Sequence, residues 1–179
     1  PGYSEEGIEL LKKKPKLRVI ANREPRTANR TYRSCLDGML VQNEDDNIVS
    51  ESDLTCVTDK KPTDDQIRDL LFAWKVVKHA KSNAIVFTKD QISVGIGCGQ
   101  TSRVDSAIIA ARRAGDRSQN AVMASDAFFP FPDCVEEAAK HGISAIIQPG
   151  GSIRDEEVFA KANELGIVMV TTGVRAFRH

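Results

Sequence analysis

From residue 84 onward the chain alternates short apolar runs with amphipathic ones, and this order constrains the fold more than any other feature. AIVFT and ISVGIG flank KDQ (89–91) and read as a hairpin. AVMAS, SAIIQ and IVMVTT have the length of strands, and VDSAIIAARRAG, DCVEEAAKHG and RDEEVFAKANELG between them have helical periodicity. Strand, strand, helix, strand, helix, strand, helix, strand predicts an α/β layer structure with parallel strands.

Helix ends are marked by their capping chemistry. Ser4 caps EEGIELLKKK, which Pro15 ends. Thr63 and Gln66 form a capping box, since each side chain can bond the other residue's backbone N–H. The helix DQIRDLLFAWKVVKHAK then places Ile67, Leu70, Leu71, Trp74, Val76 and Val77 on one face, which assigns Trp74 to the core. Ser102 with Asp105 forms a second capping box; Asp133 caps the helix that Gly142 ends. Earlier signals are mixed between LRVIAN and about residue 60: LDGMLVQ alternates like a strand and NEDDN reads as a turn. We expect one domain over 1–179, with 1–60 a helix- and strand-containing segment and 61–179 the main body.

Composition limits the partners. Lys plus Arg number 25 and Asp plus Glu 25, and the sequence pI is about 7.3, without the basic excess that nucleic acid or a membrane surface demands. The basic run KKKPKLR reads as a solvated helix end. Cys35, Cys56, Cys98 and Cys134 stand far apart with no C-x-x-C pair, as expected of reduced thiols in a cytoplasmic protein that binds no metal. No apolar run approaches the roughly 20 residues of a membrane span. The chain begins at Pro1 rather than Met, as a piece of a longer protein would.

In α/β folds ligands gather at the carboxyl ends of strands, and four unusual segments fall there. GIGCGQTSRVDS (95–106) resembles a dinucleotide loop, but Gln100 stands where the third glycine is needed; a tight turn admitting close ligand approach fits better. SDAFFPFPD (125–133) fixes Phe128, Phe129 and Phe131 on a loop stiffened by Pro130 and Pro132, either as a hydrophobic plug or as an aromatic wall for a planar heterocycle. In QPGGSIRDEE (148–157), Ser152 and Asp155 either cap the next helix or leave free N–H groups for an anion or carbonyl. In TTGVRAFRH, Arg175 and Arg178 flank Phe177 on a tail that would ordinarily fray, although a guanidinium there suits a phosphate. KHAKSNAI (78–85) adds a Lys78–His79 pair, read either as an acid–base dyad or as an exposed helix end. Asn83 in the same run is the better ligand contact, because a carboxamide both donates and accepts.

Taken in order, KHAKSNAIV, GIGCGQTSRVDS, SDAFFPFPD, IIQPGGSIRDEE and VRAFRH resemble the C-terminal half of the transformylase portion of the bifunctional purine-biosynthesis enzymes. Those enzymes couple aminoimidazole carboxamide ribotide (AICAR) formyltransferase to IMP cyclohydrolase. The resemblance runs from about residue 38, where DGMLVQ fits, and GYSEEGIELLKKKPKLRVI belongs to it as well. It implies a three-layer, cytidine-deaminase-like fold with a mixed sheet, present in tandem in the family, with this chain as the second copy. The deaminase zinc signature is missing, in keeping with a formyl transfer from 10-formyltetrahydrofolate that uses no metal. The family's catalytic Lys-His motif, S-F-K-H-V-S-P, belongs to the first copy and does not occur here, so no catalytic residue is carried over.

The resemblance further implies that Asn83, Phe128, Arg175 and Phe177 bind the ribotide, the last two across a homodimer interface. Val104, Pro130, Phe131 and Ser152 would line the folate side, and Cys134 stands where family members often carry Asn. The implied function is the second subdomain of a cytoplasmic formyltransferase that partners the first transformylase half, on the same or a separate chain. The competing readings are a non-catalytic dimerisation or nucleotide-sensing module and an independent enzyme built on Lys78 and His79.

Overall fold

The computed structural model describes residues 2–21 and 30–179; Asn22, the last residue of LRVIAN, lies outside them. Two compact units emerge, Pro1–Asn47 and Ile48–His179, so the division falls at 47/48 rather than near residue 60. The reason is visible in 48–56: Val49 is buried in the main core, Leu54 packs against it, and Thr55–Cys56 joins the main sheet.

In the first unit, Ser4 caps helix α1 (Glu5–Lys12) by accepting the Gly7 N–H, and the helix stops before Pro15. Strands β1 (Arg30–Cys35) and β2 (Gly38–Asn43) form an antiparallel hairpin, with Arg30 opposite Asn43 and Cys35 opposite Gly38. Leu36, at φ 28°, belongs to its turn, so the strand expected over LDGMLVQ begins only at Gly38.

The second unit is built on a six-stranded mixed sheet in the order β3-β8-β7-β6-β4-β5. Its strands are β3 (Thr55–Cys56), β4 (Ile85–Lys89), β5 (Ile92–Gly97), β6 (Val122–Ser125), β7 (Ala145–Gln148) and β8 (Val168–Thr171). β6, β7 and β8 run parallel, as helical crossovers require. The hairpin expected around KDQ forms as β4 and β5, and the sheet is mixed: beyond the parallel strands, β4 is antiparallel to β6 and β3 is antiparallel to β8. The β4–β5 turn places Asp90 and Gln91 at positive φ, and the Asp69 carboxylate accepts both their N–H groups at 2.9 and 2.7 Å.

Alternate residues of each central strand enter two separate cores. Ile85, Phe87, Met123, Ile146 and Met169 pack under helices α3 (Arg103–Ala114), α4 (Asp133–Lys140) and α5 (Asp155–Glu164). Val86, Val122, Ala124, Ile147 and Val168 pack with helix α2 (Asp64–Val77), whose Leu70, Ala73, Trp74 and Val77 are buried. Burial on both faces explains why these strands read as continuous apolar runs. The α2 capping box forms as expected, Thr63 Oγ1 accepting the Gln66 N–H and Gln66 Oε1 accepting the Thr63 N–H. At α3, Ser102 accepts the Asp105 N–H, but the return bond is different: the Ser102 hydroxyl donates to the Asp105 carboxylate. At α4 the N-cap is Pro132, not Asp133; the chain has already turned helical there, and Asp133 instead accepts the Cys134 N–H. Gly142, at φ 70°, follows the end of that helix.

The glycines of GIGCG serve packing first. A Cβ on Gly95 would lie 2.1 Å from Ala110 O and one on Gly97 1.9 Å from Ser106 O, so α3 lies directly on β5 at these two residues. The close approach expected of a ligand is made by a helix. Gly97→Ala is therefore expected to cost about 3 kcal/mol, since backbone atoms must move to admit the methyl group. That cost corresponds to a fall of roughly 6–12 °C in Tm, measured by calorimetry. Gly38→Ala, where a Cβ meets nothing within 4 Å, should change stability by no more than about 0.5 kcal/mol.

Candidate functional site

β5, β6, β7 and β8 end, and β4 begins, on one edge of the sheet. Ile85 pairs with both Gly97 and Ser125, and Gln148 pairs with Thr171. Every segment singled out in the sequence opens from this edge.

The C-terminal residues cross the edge as an ordered strap, where fraying was expected. Thr172 N–H donates to Gln148 O at 3.0 Å, Gly173 N–H to Pro149 O at 2.9 Å and Ala176 N–H to Asp126 O at 2.9 Å. Arg178 N–H donates to Ser82 Oγ at 3.0 Å, and Ser82 N–H returns a bond to Arg178 O at 2.8 Å. Carbonyls left over where strands end are thereby satisfied, and Ala176 is buried in the α2-side core.

Within SDAFFPFPD the phenylalanines divide, one entering the core and the others keeping exposed surface. Phe129 is fully buried and plugs the core beneath α3 and α4. Phe128 is half-buried and lies under the Arg175 guanidinium, 4.8 Å from carbon to ring centre. Phe131 remains 48% exposed with Arg154 at 4.7 Å, and Pro130 is exposed. Phe177, 46% exposed, lies 5.9 Å from Arg175 and 5.8 Å from Arg103. The edge thus carries a cluster of guanidinium groups and aromatic faces, a surface suited to a planar anionic ligand.

Asn83, beside the strap and preceded by a cis peptide bond from Ser82, clamps the glycine loop. Its Nδ2 donates to Gln100 O at 3.1 Å and Thr101 O at 3.0 Å, leaving Oδ1 as its remaining polar group. Val104 is half-buried and packs partly against the α3-side core. Lys78 is the C-cap of α2, and exposed His79 lies 3.4 Å from Arg178 Nη1, which places both at a helix end.

Ser152 overturns an expectation. The N-cap of α5 is Arg154, and Ser152 Oγ accepts the Arg154 N–H at 3.2 Å instead. The loop's N–H groups are also not free for an anion: Gly150 donates to Gln148 Oε1, and Gly151 and Ser152 donate to the two oxygens of Asp155. With Asp155, Glu156 and Glu157 in the first turn, the helix dipole already has its negative charges.

Two residues without a distinguishing sequence signal, Asp126 and Arg103, also belong to this edge. Asp126 is fully buried, accepts the Ser82 hydroxyl and pairs with Arg103 Nη2 at 3.3 Å. An acid beside a Phe-Pro loop reads as a solvated bracket; only its position directly after a four-residue buried strand hints otherwise. Among the described residues, no three His, Cys, Asp or Glu side chains group as a metal would need.

Cys134 is buried, and burial, reinforced by the neighbouring Asp133 carboxylate, pushes its thiol far above the usual range. Its thiolate is thus suppressed at neutral pH. Alkylation by iodoacetamide, mapped by mass spectrometry, should modify exposed Cys35 and Cys98 at least about tenfold faster than Cys134, which should react only after unfolding in urea. Equal rates would contradict the buried placement.

The chain is 52% identical over 181 residues to the bifunctional purine biosynthesis protein PurH of Bacillus cytotoxicus, and 49% identical over 183 residues to that of Limosilactobacillus reuteri. Each alignment covers 100% of this chain but only 35% and 36% of the relative, so the chain spans about a third of their length. Among solved structures, Acinetobacter baumannii RibD matches in two forms with TM-scores of 0.39 and 0.40 at 18% and 16% identity. Those matches cover 57% and 59% of this chain and 32% and 33% of RibD, a likeness too slight to carry an argument. The family model for the AICARFT/IMPCHase bienzyme matches residues 1–113, and the chain belongs to that family.

Proposed function

We propose that this chain is the second subdomain of an AICAR formyltransferase in purine biosynthesis, a three-layer, cytidine-deaminase-like copy that supplies binding walls while another segment supplies the Lys-His pair. The observation that carries this reading is the placement of Arg175 over Phe128, with Phe177 beside it, on a strap tied to the strand ends. In this role Phe128 stacks on the aminoimidazole ring, Arg175 meets the phosphate, Phe177 flanks the ribotide and Asn83 Oδ1 accepts from a ligand amide or amine. Pro130, Phe131, Val104 and Ser152 border the pterin of 10-formyltetrahydrofolate; Phe131 and Ser152 both contact Arg154.

The chemistry requires little charge from this half. The 5-amino nitrogen of the ribotide attacks the formyl carbon, the bond from that carbon to folate N10 breaks, and the amino proton is passed to N10. This half holds two flat rings so that the reacting atoms meet, the contribution of orientation to catalysis. Phe131 and Phe177, each about half exposed, are walls awaiting the rest of the site, in keeping with a site completed by the first transformylase half and a second copy of the chain.

Calorimetric titration with AICAR ribotide tests the wall assignment. Phe128→Ala and Arg175→Ala should each weaken binding about tenfold or more, equivalent to roughly 1.4 kcal/mol. Unchanged affinity in both variants would overturn it. Formyl transfer by the purified chain should be absent and should appear when the Lys-His half is added. Turnover by the chain alone would overturn the division of labour and direct attention to Lys78 and His79.

A further inference from the structure

Asp126 is the one fully buried carboxylate among the described residues, and the proposed chemistry makes no use of it. It stands directly after β6, one residue before the Ala127–Phe128 pair. Its Oδ2 takes the hydrogen of the Ser82 hydroxyl and its Oδ1 takes a hydrogen from Arg103 Nη2 at 3.3 Å. A hydroxyl has a single hydrogen. Because the carboxylate claims it, the Ser82 oxygen is left to accept, and it accepts the Arg178 N–H at 3.0 Å. The backbone of Asp126 repeats the pattern, its N–H donating to Ala84 O at 3.3 Å and its carbonyl accepting the Ala176 N–H at 2.9 Å.

Arg103 extends the network outward. Its side chain is 13% exposed, its guanidinium lies against the Phe177 ring, and its buried Nε has no hydrogen-bond partner among the described residues. The Asp126 carboxylate is therefore the polar anchor recorded for that guanidinium. Asp126 thus bonds directly to the loop of Asn83, to the first turn of α3 that carries Val104 and to the strap at Ala176, and it reaches Arg178 on the other side of Phe177 through Ser82.

We propose that Asp126 is a positioning residue: its carboxylate orients the Ser82 hydroxyl and the Arg103 guanidinium, and so seats the strap that sets Arg175 against Phe128 and Phe177. Its effect on the strap stands independently of any ligand; its effect on binding rests on the proposed AICAR site.

Amide hydrogen exchange by NMR on the whole chain, comparing wild type, Asp126→Asn and Ser82→Ala, tests this. In both variants the Arg178 amide should exchange at least about tenfold faster, while Met123 in β6 and Ile146 in β7 change by less than roughly twofold. A merely structural carboxylate would instead accelerate strap and sheet together, and that result would overturn the proposal. So would unchanged Arg178 exchange in Ser82→Ala, a small substitution that leaves the Asp126–Arg103 pair in place and keeps the test available if Asp126→Asn fails to fold. For ligand binding, AICAR ribotide should bind Ser82→Ala at least about fivefold more weakly than wild type. Equal binding with a loosened strap would overturn that consequence. A wild-type chain that does not bind AICAR would overturn the proposed site instead, and exchange alone would then decide the role of Asp126.

Discussion

The carboxylate of Asp126 is removed from water altogether, and a charge so placed persists only where donors converge on it. Here the donors come from the loop before β4 and from the first turn of α3. Satisfying the charge fixes both segments, and the Ser82 hydroxyl passes the constraint on to the strap. The glycine faces of β5 perform the complementary task on the apolar side, admitting α3 so closely that its first turn is carried to the same edge. Polar satisfaction and steric admission together decide where the aromatic and basic side chains stand.

That arrangement accounts for an exposed surface that would otherwise be costly. Phe128, Phe131 and Phe177 each lie near an Arg side chain, which covers part of the ring while keeping its own charge in water. The anion site expected at the start of α5 is occupied from within by Asp155, so positive potential at this edge comes from guanidinium groups rather than from free backbone N–H groups. A ligand held by such groups is held by stacking and by bidentate charge, which favours flat anionic molecules.

Much of the fold was legible because its signals are local. The Thr63–Gln66 box, the KDQ hairpin and the helix ended by Gly142 each depend on residues within a few positions of one another. Strand direction is not local: whether β4 runs with or against β6 depends on a partner some forty residues away, and β3 is short enough to be seen only through its pairing with β8. β1 escaped notice because RTYRSC buries almost nothing and is defined by its partner strand alone. In the site, the paired roles of the phenylalanines were open from sequence, but which ring plugs and which faces outward is a matter of register after β6. Asp126 was illegible for the same reason, since its donors lie 23 and 44 residues away along the chain.

The central claim is that one edge of the sheet is a ribotide-binding wall. Its most direct measurement is an NMR titration of the isotopically labelled chain with AICAR ribotide, following backbone amide shifts. The account predicts perturbations centred on Asn83, Phe128, Arg175 and Phe177, with α2 and the 150–152 loop little changed. Shifts confined to α2 or to that loop, with those four residues unmoved, would contradict it.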